Sequence, residues 1–103
     1  MKKVVTLTSL AALFSGAVLA DGHLPGEGVK VTAVQSPIAE ETFQTIVVNK
    51  ALEKLGYDVQ PIKEVDYSAG YTSVANGDAQ FLAVNWYPLH NAMYKNAGGD
   101  DKF

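Results

Sequence analysis

Residues 29–62 read VKVTAVQSPIAEETFQTIVVNKALEKLGYDVQPI. This stretch decides the fold, because strand, helix and strand signals follow one another within it. Val29-Lys30-Val31-Thr32-Ala33-Val34 is β-branched and partly alternating, which predicts a first strand. Ser36-Pro37 follows, with Glu40 and Glu41 soon after. A serine can cap a helix, proline suits its first position, and acids favour its positive end. Phe43, Ile46, Val47, Ala51 and Leu55 then recur near helical spacing, and Gly56 is a fitting stop, so a helix is expected over 37–55. Tyr57 to Ile62 reads as a second strand, and Pro61 confines it to an edge or a strand end because it cannot donate to a ladder.

Downstream, Asp66 to Ala75 suits a short second helix ended by Asn76-Gly77. Phe81-Leu82-Ala83-Val84 is an uncharged apolar run that suits a strand buried on both faces. Pro88 to Ala97 predicts a third helix, closed by Gly98-Gly99. Upstream, Asp21 to Gly28 reads as an extended lead-in. The order is β-α-β-α-β, an α/β class whose strands should form a parallel sheet with right-handed crossovers. Ligands bind beyond the carboxyl ends of such strands. Gln35-Ser36-Pro37 and Asn85-Trp86-Tyr87-Pro88-Leu89-His90 fall there.

Residues 1–20 read as a secretory signal peptide rather than part of the fold. Met1-Lys2-Lys3 is basic, Val4 to Ala20 is uncharged, and Val18-Leu19-Ala20 offers a small-residue cleavage site before Asp21. A membrane anchor is the alternative, but the run is short for a span and is diluted by Thr6, Thr8, Ser9, Ser15 and Gly16. Without Lys2 and Lys3, residues 21–103 carry six Lys against eleven acids, a net charge of −5. They hold no second run long enough to cross a bilayer.

The 103 residues allow one domain, and 48% hydrophobic with 18% charged content argues against disorder. The full chain has a net charge of −3 and no Arg, which argues against nucleic-acid binding. Cysteine is absent, excluding disulfides, thiolate metal sites, a cysteine nucleophile and a lipid-anchored cysteine.

Trp86, the one tryptophan, follows an apolar strand and precedes Pro88, so it is expected on a turn. Its ring face can attract a cation. His90 falls in the first turn of the expected third helix, where it can donate to an anion beside free backbone N–H groups. Together they would suit a zwitterion. On the residues alone, packing is the commoner use of a tryptophan and a surface position an equal alternative for the histidine. Glu40-Glu41, Asp66 and Asp78 are read as helix-start and turn acids rather than paired catalytic carboxylates. Tyr57, Tyr67, Tyr71, Tyr87 and Tyr94 are read as amphipathic packing residues. His23 and His90 lack metal-ligand spacing, and Ser36 has no evident base, so neither a metal site, a cofactor nor an enzyme is expected.

The chain resembles the periplasmic substrate-binding proteins of ABC transporters for glycine betaine and proline betaine. The resemblance rests on Leu24-Pro25-Gly26, Glu40 to Thr45, Ala51 to Tyr57, Glu64 to Tyr67, Gly70 to Ser73, Ala83 to Trp86, Pro88-Leu89-His90 and Ala97 to Asp100. It implies part of the first lobe of a type II periplasmic-binding-protein-like fold, with residues 21–103 as the N-terminal part of a longer, two-lobed substrate-binding domain. It implies a non-enzymatic role in osmoprotectant uptake, a betaine ligand, a membrane permease as partner, a monomeric state and a periplasmic location. In that family, Trp rings box the quaternary ammonium while a His and backbone N–H groups hold the carboxylate. Trp86 matches one box Trp and His90 the carboxylate-binding His. Tyr87 stands where close relatives carry Thr, and the other box Trp residues have no counterpart here. Choline, carnitine or proline as ligand, and an independent small periplasmic protein, are the alternatives.

Overall fold

A computed structural model describes residues 22–103; the expected signal peptide lies outside the described residues. In chain order the elements are β1 (Lys30–Val31), β2 (Ala33–Gln35), α1 (Ala39–Lys54), β3 (Asp58–Val59), β4 (Lys63–Glu64), α2 (Tyr67–Asn76), β5 (Phe81–Leu82) and α3 (Asn91–Asn96), followed by a 3₁₀ turn at Gly99–Asp101. β1 and β2 run end to end, interrupted at Thr32. β3 pairs with β1 through Lys30↔Asp58 and Val31↔Val59. β4 pairs with β2 through Val34↔Lys63 and Gln35↔Glu64. β5 lies on the other side of β2, with Ala33↔Phe81 and Val34↔Leu82 in register. Every ladder is parallel, as the alternation of strands and helices predicts.

The central strand is the core. Val31, Ala33 and Val34 are buried, joined by Tyr71 of α2, Ala79 and Val84. The ladders form two sheets, β1-β3 and β4-β2-β5, rather than one; of the second strand expected over 57–62 only β3 forms, Pro61 follows it, and β4 lies just beyond at an edge. β5 is shorter than expected and also an edge, so Phe81 and Leu82 are half-buried instead of covered on both faces.

The helices keep their places but not all their predicted ends. Gly56, at φ +90°, follows the C-cap of α1 in the left-handed region that glycine alone enters at little cost. Asp66 caps α2, accepting from the Ala69 N–H at 2.9 Å. Ser36 does not cap α1. The cap position is Ile38, without a side-chain bond, because Ser36 is buried and its N–H and hydroxyl are taken by Glu41. α3 begins at Asn91 rather than Pro88. Residues 87–90 form a turn in which the His90 N–H donates to Trp86 O (2.8 Å) and the Asn91 N–H to Pro88 O (3.1 Å).

The larger correction concerns which face of α1 is inside. Phe43, Ile46, Val47, Ala51 and Leu55, the expected core stripe, are all exposed, Phe43 by 69%. The buried row is Glu41, Thr45 and Asn49. Phe43, Val47 and Ala51 each follow a member of that row by two residues, roughly 200° around the helix, so they point away from the sheet. The polar row lies inward because its groups are bonded: the Thr45 hydroxyl donates to Glu41 O at 2.8 Å, and the Glu41 carboxylate accepts from groups on three other segments. Burial of a polar side chain is tolerated when its bonds are made. No described helix is long and apolar enough to cross a membrane.

Candidate functional site

The parallel ladders point their carboxyl ends the same way, and three strand-to-helix junctions meet there. Ser36 leaves β2, Tyr67 opens α2 after β4, and Trp86 and His90 lie on the connection after β5. Both segments that the sequence assigns to the ligand-binding edge are thus at one place. Trp86 stands immediately before the turn at residues 87–90, which it was expected to join, and is 47% exposed. His90 is fully buried and stands at the N-cap of α3, one residue ahead of the first turn where it was expected.

Glu41 connects the junctions. Its Oε1 accepts from the Tyr67 hydroxyl (2.5 Å) and from the Trp86 indole Nε1–H (3.0 Å). Its Oε2 accepts from the Ser36 hydroxyl (2.7 Å) and the Ser36 N–H (3.1 Å). Burial pushes the Glu41 carboxyl up, but the hydrogen bonds from Tyr67, Trp86 and Ser36 outweigh it and hold the group below its usual range. Glu41 is therefore an ionised, buried carboxylate at neutral pH, in the first turn of α1 where the helix dipole also favours a negative charge. The sequence reading of Glu41 as a solvated helix-start acid is corrected; Glu40, its neighbour, is exposed.

His90 is packed between tyrosines. The Tyr67 ring centroid lies 4.1 Å from that of His90, and Tyr71 meets it edge-on at 5.6 Å. Nδ1 lies 3.1 Å from the Tyr71 hydroxyl, which is also 2.9 Å from Asn85 Oδ1, and 3.4 Å from the Trp86 backbone N. Nε2 is buried with no partner. Burial, followed by the charges of Glu41 and Tyr67, raises the Tyr71 phenol above its usual range and keeps it protonated. Tyr67 and Tyr71 thus do more than pack, whereas Tyr87 is 78% exposed and joins none of these bonds. A signal for Glu41 was present in the sequence: a carboxylate five residues after Ser36, in the first helical turn above the edge where ligands bind.

Two cavities are present, the first adjoining the cluster through Tyr71 and Asn85. One of about 490 Å³ is lined by Tyr71, Phe81, Asn85, Tyr94, Lys102 and Phe103. One of about 500 Å³ lies beside α1 and β3, between Ile46, Asn49, Val59 and Pro61. Neither is lined by Trp86 or His90, whose cluster opens at the indole.

Comparison with known proteins gives the family. The family described as the substrate-binding domain of ABC-type glycine betaine transport systems matches residues 29–103. The chain is 60% identical over 100 residues to the glycine betaine-binding periplasmic protein OusX of Dickeya dadantii. It is 58% and 55% identical, over the same length, to the glycine betaine/proline betaine-binding periplasmic proteins of Escherichia coli and Salmonella typhimurium. In each case the match takes in 97% of this chain and 30% of the relative, so the chain spans about a third of the length of these proteins.

Proposed function

The chain belongs to the family of substrate-binding domains of ABC-type glycine betaine transport systems, and on that premise we propose that it supplies one wall of a periplasmic betaine-binding cleft serving an ABC importer. The exposed indole face of Trp86 meets the quaternary ammonium by cation–π attraction, about 0.5–2 kcal/mol depending on how dry the contact is. The His90 imidazole meets the carboxylate. One observation carries the reading: Trp86 and His90 stand in one cluster at the carboxyl edge of the sheet, and His90 Nε2 is buried there without a partner. Nδ1 faces the Tyr71 hydroxyl and the Trp86 backbone N–H, so Nε2 is the ring atom left for a ligand. Relatives bearing betaine-binding names support this ligand, and their description as periplasmic supports export by residues 1–20. In the long relatives, closure of two lobes would complete the enclosure.

A single open wall leaves a small zwitterion hydrated, whereas binding pockets bury most of a ligand. The chain alone should therefore bind glycine betaine weakly at best, and a micromolar dissociation constant from Trp86 fluorescence would refute that. The functional test places residues 24–103 in the corresponding region of the Dickeya dadantii protein and titrates glycine betaine and choline. Betaine should bind well and choline poorly, with both Trp86→Ala and His90→Ala losing affinity. Choline binding as tightly as betaine would remove His90 from carboxylate recognition.

A further inference from the structure

Glu41 is the one fully buried acid among the described residues, and no ligand role has been given to it. Its four hydrogen bonds go to groups that need different things from it. The two on Oε2 tie it to Ser36, where β2 ends. The two on Oε1 leave its own part of the structure: one holds the indole N–H of Trp86, the other the hydroxyl of Tyr67, whose ring lies on His90.

We propose that Glu41 is the positioning residue of the site, its carboxylate setting the plane of the Trp86 indole directly and the place of the His90 ring through Tyr67. The inference rests on the reading of Trp86 and His90 as ligand-binding residues. An exposed tryptophan beside a turn has rotamer freedom that costs affinity when a ligand must freeze it. One bond from Nε1–H to a buried anion removes that freedom before the ligand arrives. A charge-assisted bond is about twice as strong as a neutral one. An anionic acceptor on the N–H also adds electron density to the ring, and its own charge lies near the indole, so both effects favour a cation over a neutral guest at that face. The same carboxylate acts at a second remove on the anion side. Tyr67 donates its only proton to Glu41, and its ring is thereby fixed against the imidazole.

The test uses the full chain, labelled with ¹⁵N. Trp86 is the only tryptophan, so its indole gives a single resonance. In the unaltered protein that N–H should exchange slowly with solvent although the residue is half exposed. In Glu41→Gln, which keeps the size but loses the charge, the indole proton should move upfield and exchange faster, and the His90 ring resonances should move with it. Glu40→Gln should leave both unmoved. If Glu41→Gln does not fold, exchange in the unaltered chain still decides: an indole N–H exchanging as fast as that of free tryptophan overturns the proposal. So does an indole resonance that Glu41→Gln leaves in place. Glycine betaine added in the same experiment separates the two readings. Its perturbation of the indole should need roughly two- to thirtyfold more ligand in Glu41→Gln, the range spanned by one cation–π contact. An equal ligand requirement would overturn the positioning role. A protected indole that Glu41→Gln releases, with no response to betaine in either protein, would support the positioning, and betaine failing to bind the Dickeya dadantii chimera as well would refute the betaine reading.

Discussion

Glu40 and Glu41 are adjacent, chemically identical and both in the first turn of α1, yet the structure assigns them very different weights. Replacing Glu41 by alanine leaves the buried Ser36 N–H without an acceptor, while the Ser36 hydroxyl keeps the Tyr67 oxygen at 3.2 Å. An orphaned buried donor costs about 1–3 kcal/mol, so the N–H alone costs about that much. Trp86 and Tyr67 are more open, and water can take up part of their loss. A chain with about 80 folded residues has about 4–12 kcal/mol of stability in total. Glu41→Ala should therefore remove a large share of it. Glu40 is exposed, and Glu40→Ala should change stability by no more than about 0.5 kcal/mol. Urea unfolding followed by helical circular dichroism separates the two. With a slope of about 1 kcal/mol per M for so short a chain, the Glu41→Ala midpoint should fall by about 1 M or more. The Glu40→Ala midpoint should stay within about 0.5 M of the parent under the same slope. Equal midpoints for the two variants would refute the burial and the bonding assigned to Glu41.

Acid should act through the same group. The folded-state pKa of Glu41 lies below its usual value, so its stabilising contribution is present above the usual carboxyl range and is lost as pH falls through the folded value. The urea midpoint should drop on acidification below about pH 4, and Glu41→Gln should flatten that dependence; an identical slope in the variant would remove Glu41 as its source. At Gly26, an added Cβ would lie 2.3 Å from Tyr57 Cδ2 and 2.6 Å from the Tyr57 backbone N. Gly26→Ala should cost about 1–3 kcal/mol by overpacking, visible as a lowered melting temperature, and an unchanged melt would contradict that close approach. Val47 is exposed on α1, so Val47→Lys should change stability by less than about 0.5 kcal/mol; a loss of about 1.5 kcal/mol or more would return Val47 to the core.

The sheet was legible because its signals are local. β-branched runs, Pro61 and the glycines at 56 and 77 each act within a few residues and appear where the pattern puts them, while Asp66, expected inside α2, caps it instead. The face of α1 was not legible, because periodicity counts apolar residues and here the inward row is polar. What turns Glu41, Thr45 and Asn49 inward is a set of bonds that reaches Tyr67 and Trp86, distant in the chain. Trp86 and His90 could be singled out from ring chemistry and from their place after an apolar strand. Their partners could not: nothing local marks Tyr67 and Tyr71 as different from Tyr57 or Tyr87, and the distinction comes from which helix face meets the turn after β5.

The bonds that meet at Glu41 span very different lengths of chain: 5 residues to Ser36, 26 to Tyr67 and 45 to Trp86. Closing a longer loop costs more entropy, and contacts distant in sequence form late. The indole bond thus closes the longest loop of the three, and separating β5 from β2 would release Trp86 while Ser36 and Glu41 stay joined within β2 and α1.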